Sequence, residues 1–147
     1  MGKYVFLDTE LCLVDTLSRK TEYNSKTEII QISAVLLNEN FDIGDEFKLL
    51  VKPEYGTIDS HIWALTGISL EDIKYAPVLT DAMKSFVDWL PEEAVIISKD
   101  EYDRIQFQKE MICKKIELPE FNKYYKTWQE RNDVINFLEG RYKNEFC

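Results

Sequence analysis

The order of apolar and polar positions along this chain places strands first and helices afterwards. Tyr4 to Leu7 are four consecutive apolar residues, which predicts a strand buried on both faces near the middle of a sheet. It runs straight into two carboxylates, Asp8 and Glu10, within the stretch KYVFLDTE. Residues 28–37, EIIQISAVLL, are rich in β-branched side chains and predict a second central strand. Residues 38–40 supply a turn. In residues 41–52, Phe47, Leu49 and Val51 alternate with Lys48, Leu50 and Lys52, the pattern of a strand nearer an edge, and Pro53 stops it. Three successive strands joined this way make an antiparallel start. Residues 11–27 break the apolar pattern and predict a long polar loop that overhangs the two acids or has no role.

From residue 58 the period changes. Ile58, Ile62 and Leu65 fall at helical spacing and Thr66-Gly67 ends that helix, while Ser69 with Asp72 forms a capping signature for a short second one. Met83, Phe86, Val87 and Leu90 give one buried stripe, closed by Pro91. Residues 94–97, AVII, predict a short buried strand reached by a helical crossover, hence parallel to the first. Residues 103–115 are helical, with Ile105, Met111 and Ile112 among the apolar positions, and Pro119 breaks the chain. Residues 128–138 form a last amphipathic segment with Gly140 as its C-cap. The sum is an α/β domain over residues 1–147, with a mixed sheet, a three-strand antiparallel start and flanking helices.

Composition narrows the class. With 45% hydrophobic and 31% charged residues, the chain of 147 residues can bury a core, which excludes a disordered segment. No apolar window is long enough to span a bilayer, and the N-terminus lacks a signal-peptide pattern. Cys12, Cys113 and Cys147 are odd in number and widely spaced, which fits a cytoplasmic location. Eighteen basic against 27 acidic residues leave a net charge of −9, which argues against coating of nucleic acid by a broad basic surface. An enzyme that meets a nucleic-acid end through bound divalent ions remains compatible with that charge.

The candidate chemistry lies in the acids. On a strand, Asp8 and Glu10 project to one face, where they repel unless a hard cation sits between them. The bland alternative is that Asp8 opens a turn and Glu10 is solvated. Asp103 follows the strand predicted to lie beside the first, so it either faces the pair or complements the helix dipole in its first turn.

Taken in order, YVFLDTE, EIIQISAVLLN, Phe47 through KPEYG, LTGIS with EDI and AP after it, and ISKDEYDRIQFQKE resemble the DEDD family of 3′-to-5′ exonucleases. The resemblance is to the branch holding DnaQ-type proofreading subunits and Eri-1/KapD-like enzymes, and it covers the chain from Tyr4 to about Trp128. It implies an RNase H-like exonuclease fold and two-metal phosphodiester hydrolysis, with Mg²⁺ or Mn²⁺ as cofactor. Asp8 and Glu10 match the first motif and Asp103 the second, so the resemblance makes these three the catalytic metal ligands, Asp8 bridging both ions. It makes Thr9, Leu65 and Thr66 substrate-binding residues: the Thr9 amide at the terminal ribose or phosphate, and Leu65 and Thr66 against the terminal nucleotide. For Leu65 a core contact is the alternative. The implied partner is the 3′ end of a single strand, DNA or RNA.

Members also carry a third motif, a histidine and then an aspartate on a C-terminal helix. The sole histidine here, His61, precedes the second motif, and Asp133 is the sole aspartate after Asp103. The expectation is therefore an exonuclease domain without its third-motif helix, weak or inactive alone. The missing part would belong to a longer chain or come from an oligomer or partner; otherwise the fold is a degenerate binding or regulatory module.

Overall fold

The computed structural model of the chain describes residues 3–15, 17 and 23–141. Five strands, β1 (Tyr4–Leu13), β2 (Thr27–Leu37), β3 (Ile43–Leu50), β4 (Val95–Ser98) and β5 (Gln129–Glu130), form one open sheet in the order β3-β2-β1-β4-β5. Strands β1, β2 and β3 pair antiparallel, while β4 runs parallel to β1 and β5 parallel to β4. The helices are α1 (Ser60–Thr66), α2 (Leu70–Ile73), α3 (Leu79–Trp89), α4 (Tyr102–Cys113), α5 (Pro119–Asn122) and α6 (Asn132–Arg141), with a 3-10 turn at Lys123–Lys126. The mixed sheet with flanking helices is the architecture expected from the sequence.

Alternation along β1 and β2 decides what covers each face. Val5 and Leu7 of β1, with Ile32 and Ala34 of β2, point into the main core, which α3, α4 and α5 close with Met83, Phe86, Phe107 and Phe121. The other face is covered only at its ends. At one end Cys12 and Ile30 pack under Ile62, Ile68 and Ile73 of the α1–α2 region. At the other, Phe6, Leu37 and Ile97 pack under Val134 and Leu138 of α6. Between the two lies the stretch of β1 that carries Asp8 and Glu10.

Local signals set the two short helices. Asp59 accepts from the Ile62 N–H to cap α1, and Gly67, at φ 75°, ends it in the left-handed region that favours glycine. Ser69 and Asp72 form the reciprocal capping box of α2.

Three expectations need correction. Residues 11–13 are strand, not loop, because β2 is long enough to pair with β1 as far as Leu13↔Thr27. The register shifts between Glu10 and Leu11, a bulge that breaks the sequence alternation where the period was to be read. Of the supposed overhanging loop, residues 16 and 18–22 lie outside the described residues. In the last segment, Trp128 precedes a two-residue strand, and Gly140 lies inside α6 rather than capping it. Finally, Ile112 of α4 is exposed; the buried side of that helix is Gln106, Phe107, Glu110 and Met111.

Candidate active site

Strand β4 accompanies β1 only from Tyr4 to Phe6, ending where Ile97 pairs with Phe6. Beyond that point β1 continues with β2 on one side and an open edge on the other. Asp8 and Glu10 occupy this free stretch, opposite Ser33 and Gln31 of β2.

Asp8, Glu10, Gln31 and Ser33 line a groove of about 430 Å³, closed on one side by Leu65 and Thr66 of α1 and at the far end by Ile135 of α6. Four of the residues singled out in the sequence thus share one groove. Leu65 is 68% exposed, which settles it as a surface side chain rather than a core contact. The Thr66 hydroxyl is committed to its own helix end, donating to the Ile62 carbonyl at 2.8 Å and accepting from the Ile68 N–H at 3.1 Å.

Asp103 stands in the first turn of α4 and reaches β1 from the open edge. Its carboxylate accepts a 2.5 Å hydrogen bond from the Thr9 hydroxyl. It makes no capping hydrogen bond, the Tyr102 N–H bonding to Asp100 at 3.0 Å, but as the acid of the first turn of α4 it also complements the helix dipole. The Thr9 backbone N–H is directed to the same edge, where it lowers the proton affinity of both Asp8 and Asp103.

The electrostatics of the three acids have a common cause. Burial raises Asp103 to about 6 against the opposing Thr9 hydroxyl bond, with Asp8 and Asp100 adding to the rise. Burial likewise raises Asp8, opposed by the Thr9 amide and Lys99, and Asp100 adds to it. Glu10 is raised by burial and then by Asp8, with Lys48 opposing. Asp8 therefore feels one acid and is felt by two more, the condition of carboxylates gathered with too little cation among them.

That donor set, hard oxygens in mutual repulsion, fits a hard divalent cation. Among the described residues no group of three His, Cys, Asp or Glu side chains is placed to hold a metal ion together. His61 is exposed on α1 and is not among the residues lining the groove. Asp133 at the start of α6 is paired with Arg131 at 2.7 Å. Cys12, buried beside Glu28 and Glu110, has its thiol pushed up to about 12 by burial first and those acids second, so it is no nucleophile.

Two features escaped sequence reasoning. Lys48, read only as an outward position on an edge strand, lines the groove. Glu28 and Glu110, which the sequence pattern did not single out, are fully buried and share Lys114 at 2.7 and 2.9 Å, holding α4 against β2. An isolated acid within an apolar strand, Glu28 in TEIIQIS, was the available signal for the first of them.

The fold has known counterparts. The nuclease domain of 3′hExo, a DEDDh family member bound to rAMP, superposes with a TM-score of 0.65 at 20% identity, over 79% of this chain and 62% of that one. Cell-death related nuclease 4 (CRN-4) gives 0.58 at 18% identity, over 97% of this chain and 64% of that one. E. coli Exonuclease I in complex with a dT13 oligonucleotide gives 0.51 at 12% identity, over 69% of this chain and 21% of that one. The chain thus spans less than two thirds of each of these proteins. No match was found among curated protein sequences. At such identities the likeness establishes the RNase H-like exonuclease fold, and the sequence itself carries the rest: the model of the exonuclease family RNase T matches residues 5–146, nearly the whole chain, which belongs to that family.

Proposed function

We propose that this chain is a metal-dependent 3′-to-5′ exonuclease domain, acting on the 3′ end of a single nucleic-acid strand. The observation that carries the reading is the placement of Asp8 and Glu10 on the uncovered stretch of β1, facing a groove walled by Leu65 and Thr66. The family match and the raised proton affinities of the acids support it.

In this reading Asp8 and Glu10 would hold Mg²⁺ or Mn²⁺, with Asp103 at the open edge. The chemistry supplied there would be a lowered pKa for an attacking water and charge stabilisation of the leaving oxygen. The chain's own residues do the rest. Leu65, exposed at the groove wall, offers an apolar surface to the terminal base, and Thr66 next to it fixes the end of α1. The Thr9 amide, at the edge between Asp8 and Asp103, serves those two carboxylates, and an ion that took them would free it for the terminal ribose or phosphate. The 3′-to-5′ direction rests on family membership. One neighbour holds rAMP and another dT13, so RNA and DNA strands are both candidate substrates.

The third-motif histidine and aspartate are not contributed by the groove-lining part of α6, which presents Ile135. The domain is therefore weak alone, because loss of acid-base assistance costs roughly 10²- to 10⁴-fold in rate. A longer chain or a partner would restore it. The same observation, with Asp133 paired to Arg131, favours a second reading: a degenerate module that binds strand ends without cutting them.

The test is a Mn²⁺ titration with 5′-labelled single-stranded RNA and DNA. Stepwise shortening from the 3′ end, lost in Asp8→Ala, supports the enzyme. Binding without shortening, at every Mn²⁺ concentration and in any longer gene product, supports the module. If neither strand is bound or shortened, and Asp8→Ala leaves Mn²⁺ binding unchanged, both readings fail.

A further inference from the structure

The groove has a second charged feature, two strands away from Asp8. Asp8 pairs with Ser33 of β2, and Ser33 pairs with Lys48 of β3, so the three stand in one row across the sheet on one face. Two strand spacings put Lys48 about 10 Å from Asp8 along that row. The flanking rows are Glu10–Gln31–Leu50 and Phe6–Val35–Glu46.

Lys48 is exposed and is the one cation among the groove-lining residues, which include the acids Asp8, Glu10 and Glu46. It enters no ion pair among the described residues, whereas Lys114 is bound by two carboxylates. Its side chain lines the groove on the same face as Asp8 and Glu10, and its charge is felt at Glu10, which it pulls downward. A lone lysine of this kind has a physical use in a chain of net charge −9. A polyanion laid in an acidic groove needs a fixed positive point away from the ion site, or the strand beyond the scissile linkage is repelled.

We propose that Lys48 binds a backbone phosphate upstream of the scissile linkage, and that the row Asp8–Ser33–Lys48 sets the line along which the strand crosses the sheet. The inference rests on the exonuclease reading and specifies how that site takes a strand rather than a nucleotide. A mononucleotide seated at Asp8 has no second phosphate to reach Lys48. A longer strand does, and the Ser33 hydroxyl lies beneath it midway.

The experiment measures equilibrium binding of a fluorescein-labelled oligouridylate and of uridine 5′-monophosphate in Ca²⁺, over a range of salt, for wild type, Lys48→Gln and Lys48→Arg. The expected result is several-fold weaker binding of the oligouridylate by Lys48→Gln. The slope of log affinity against log salt falls by about 0.7, the loss of one phosphate contact on a single strand. Uridine 5′-monophosphate affinity stays the same, and Lys48→Arg keeps the wild-type slope. An unchanged slope in Lys48→Gln, with wild type binding both probes, overturns the role of Lys48 and leaves the exonuclease reading standing. Failure of the wild-type chain to bind either probe overturns both.

Discussion

The Thr9 hydroxyl donates to the Asp103 carboxylate at 2.5 Å, joining residues 94 apart in sequence at the edge where β4 has already ended. Even with that bond, burial raises Asp103 from an ordinary 3.8 to about 6. The folded state therefore binds the proton more tightly than the unfolded chain, and the sign of the linkage follows. The contribution of Asp103 to stability is most favourable below about pH 4 and is lost as the pH rises through about 6. Asp103→Asn keeps an oxygen to accept from Thr9 and removes the charge. In urea titrations without divalent ions it should leave stability unchanged below pH 4 and raise it at pH 7, by up to about 3 kcal/mol. A variant no more stable than wild type at pH 7 would show that Asp103 is not held against its ionisation.

Asp8 and Glu10 are raised in the same direction, by burial first, and Glu10 also by Asp8. A divalent ion that binds them relieves the repulsion and competes with protons for the same oxygens. Mg²⁺ or Mn²⁺ should therefore raise the melting temperature, and more at pH 7.5 than at pH 5.5. A concentration a hundredfold over Kd corresponds to about 2.7 kcal/mol of added stability. Asp8→Asn should abolish the increase while still folding. An identical increase in wild type and Asp8→Asn would place the ion elsewhere.

Glu28 anchors the loop after β3. Its buried carboxylate accepts the N–H groups of Glu54, Tyr55 and Gly56 at 2.7, 2.9 and 2.7 Å and pairs with Lys114 at 2.7 Å. Lys114 also binds Glu110, whose carboxylate accepts the Ile29 N–H at 2.8 Å and Gln106 at 2.7 Å. Without Glu28, Lys114 keeps Glu110 as its partner, but three backbone donors lose their acceptor. Glu28→Ala should cost about 3–5 kcal/mol, the cost of leaving those donors unsatisfied, seen as a lower urea midpoint at unchanged slope. A loss under 1 kcal/mol would mean that water replaces the carboxylate at no great cost.

How much of this was legible beforehand depended on whether a feature is local. The acids of DTE, the capping box of Ser69 and Asp72, the Gly67 stop and the crossover to a parallel β4 are each set by neighbours in sequence, and each was readable there. Strand β5 was not, because two residues carry no period and their pairing with Ile97 and Ser98 is tertiary. Nor was the end of β1, since the bulge after Glu10 shifts the alternation while Cys12 is buried by helices fifty residues on. Leu65 had a helical spacing that serves core and surface alike; the uncovered middle of the sheet decides for the surface. Lys48 needed the register of three strands before it could be placed in the row of Asp8.

Gly56 shows the same dependence on distant partners and supports a sharp prediction. A Cβ at this position would stand 2.5 Å from the Cys12 sulfur and 2.9 Å from the Leu13 carbonyl oxygen. The sulfur is a side-chain atom, but the carbonyl belongs to the far end of β1 and accepts the Thr57 N–H at 3.4 Å, so it cannot yield without disturbing the chain next to Gly56. Moving residue 56 outward instead stretches its N–H bond to Glu28. Gly56→Ala should thus destabilise the domain by about 1–3 kcal/mol, the usual cost of overpacking. Combining it with Cys12→Ala should recover only part of the loss relative to Cys12→Ala alone, because the carbonyl contact persists. Urea titration of the four chains measures that coupling, and a Gly56→Ala chain as stable as wild type would contradict the close approach of residue 56 to β1.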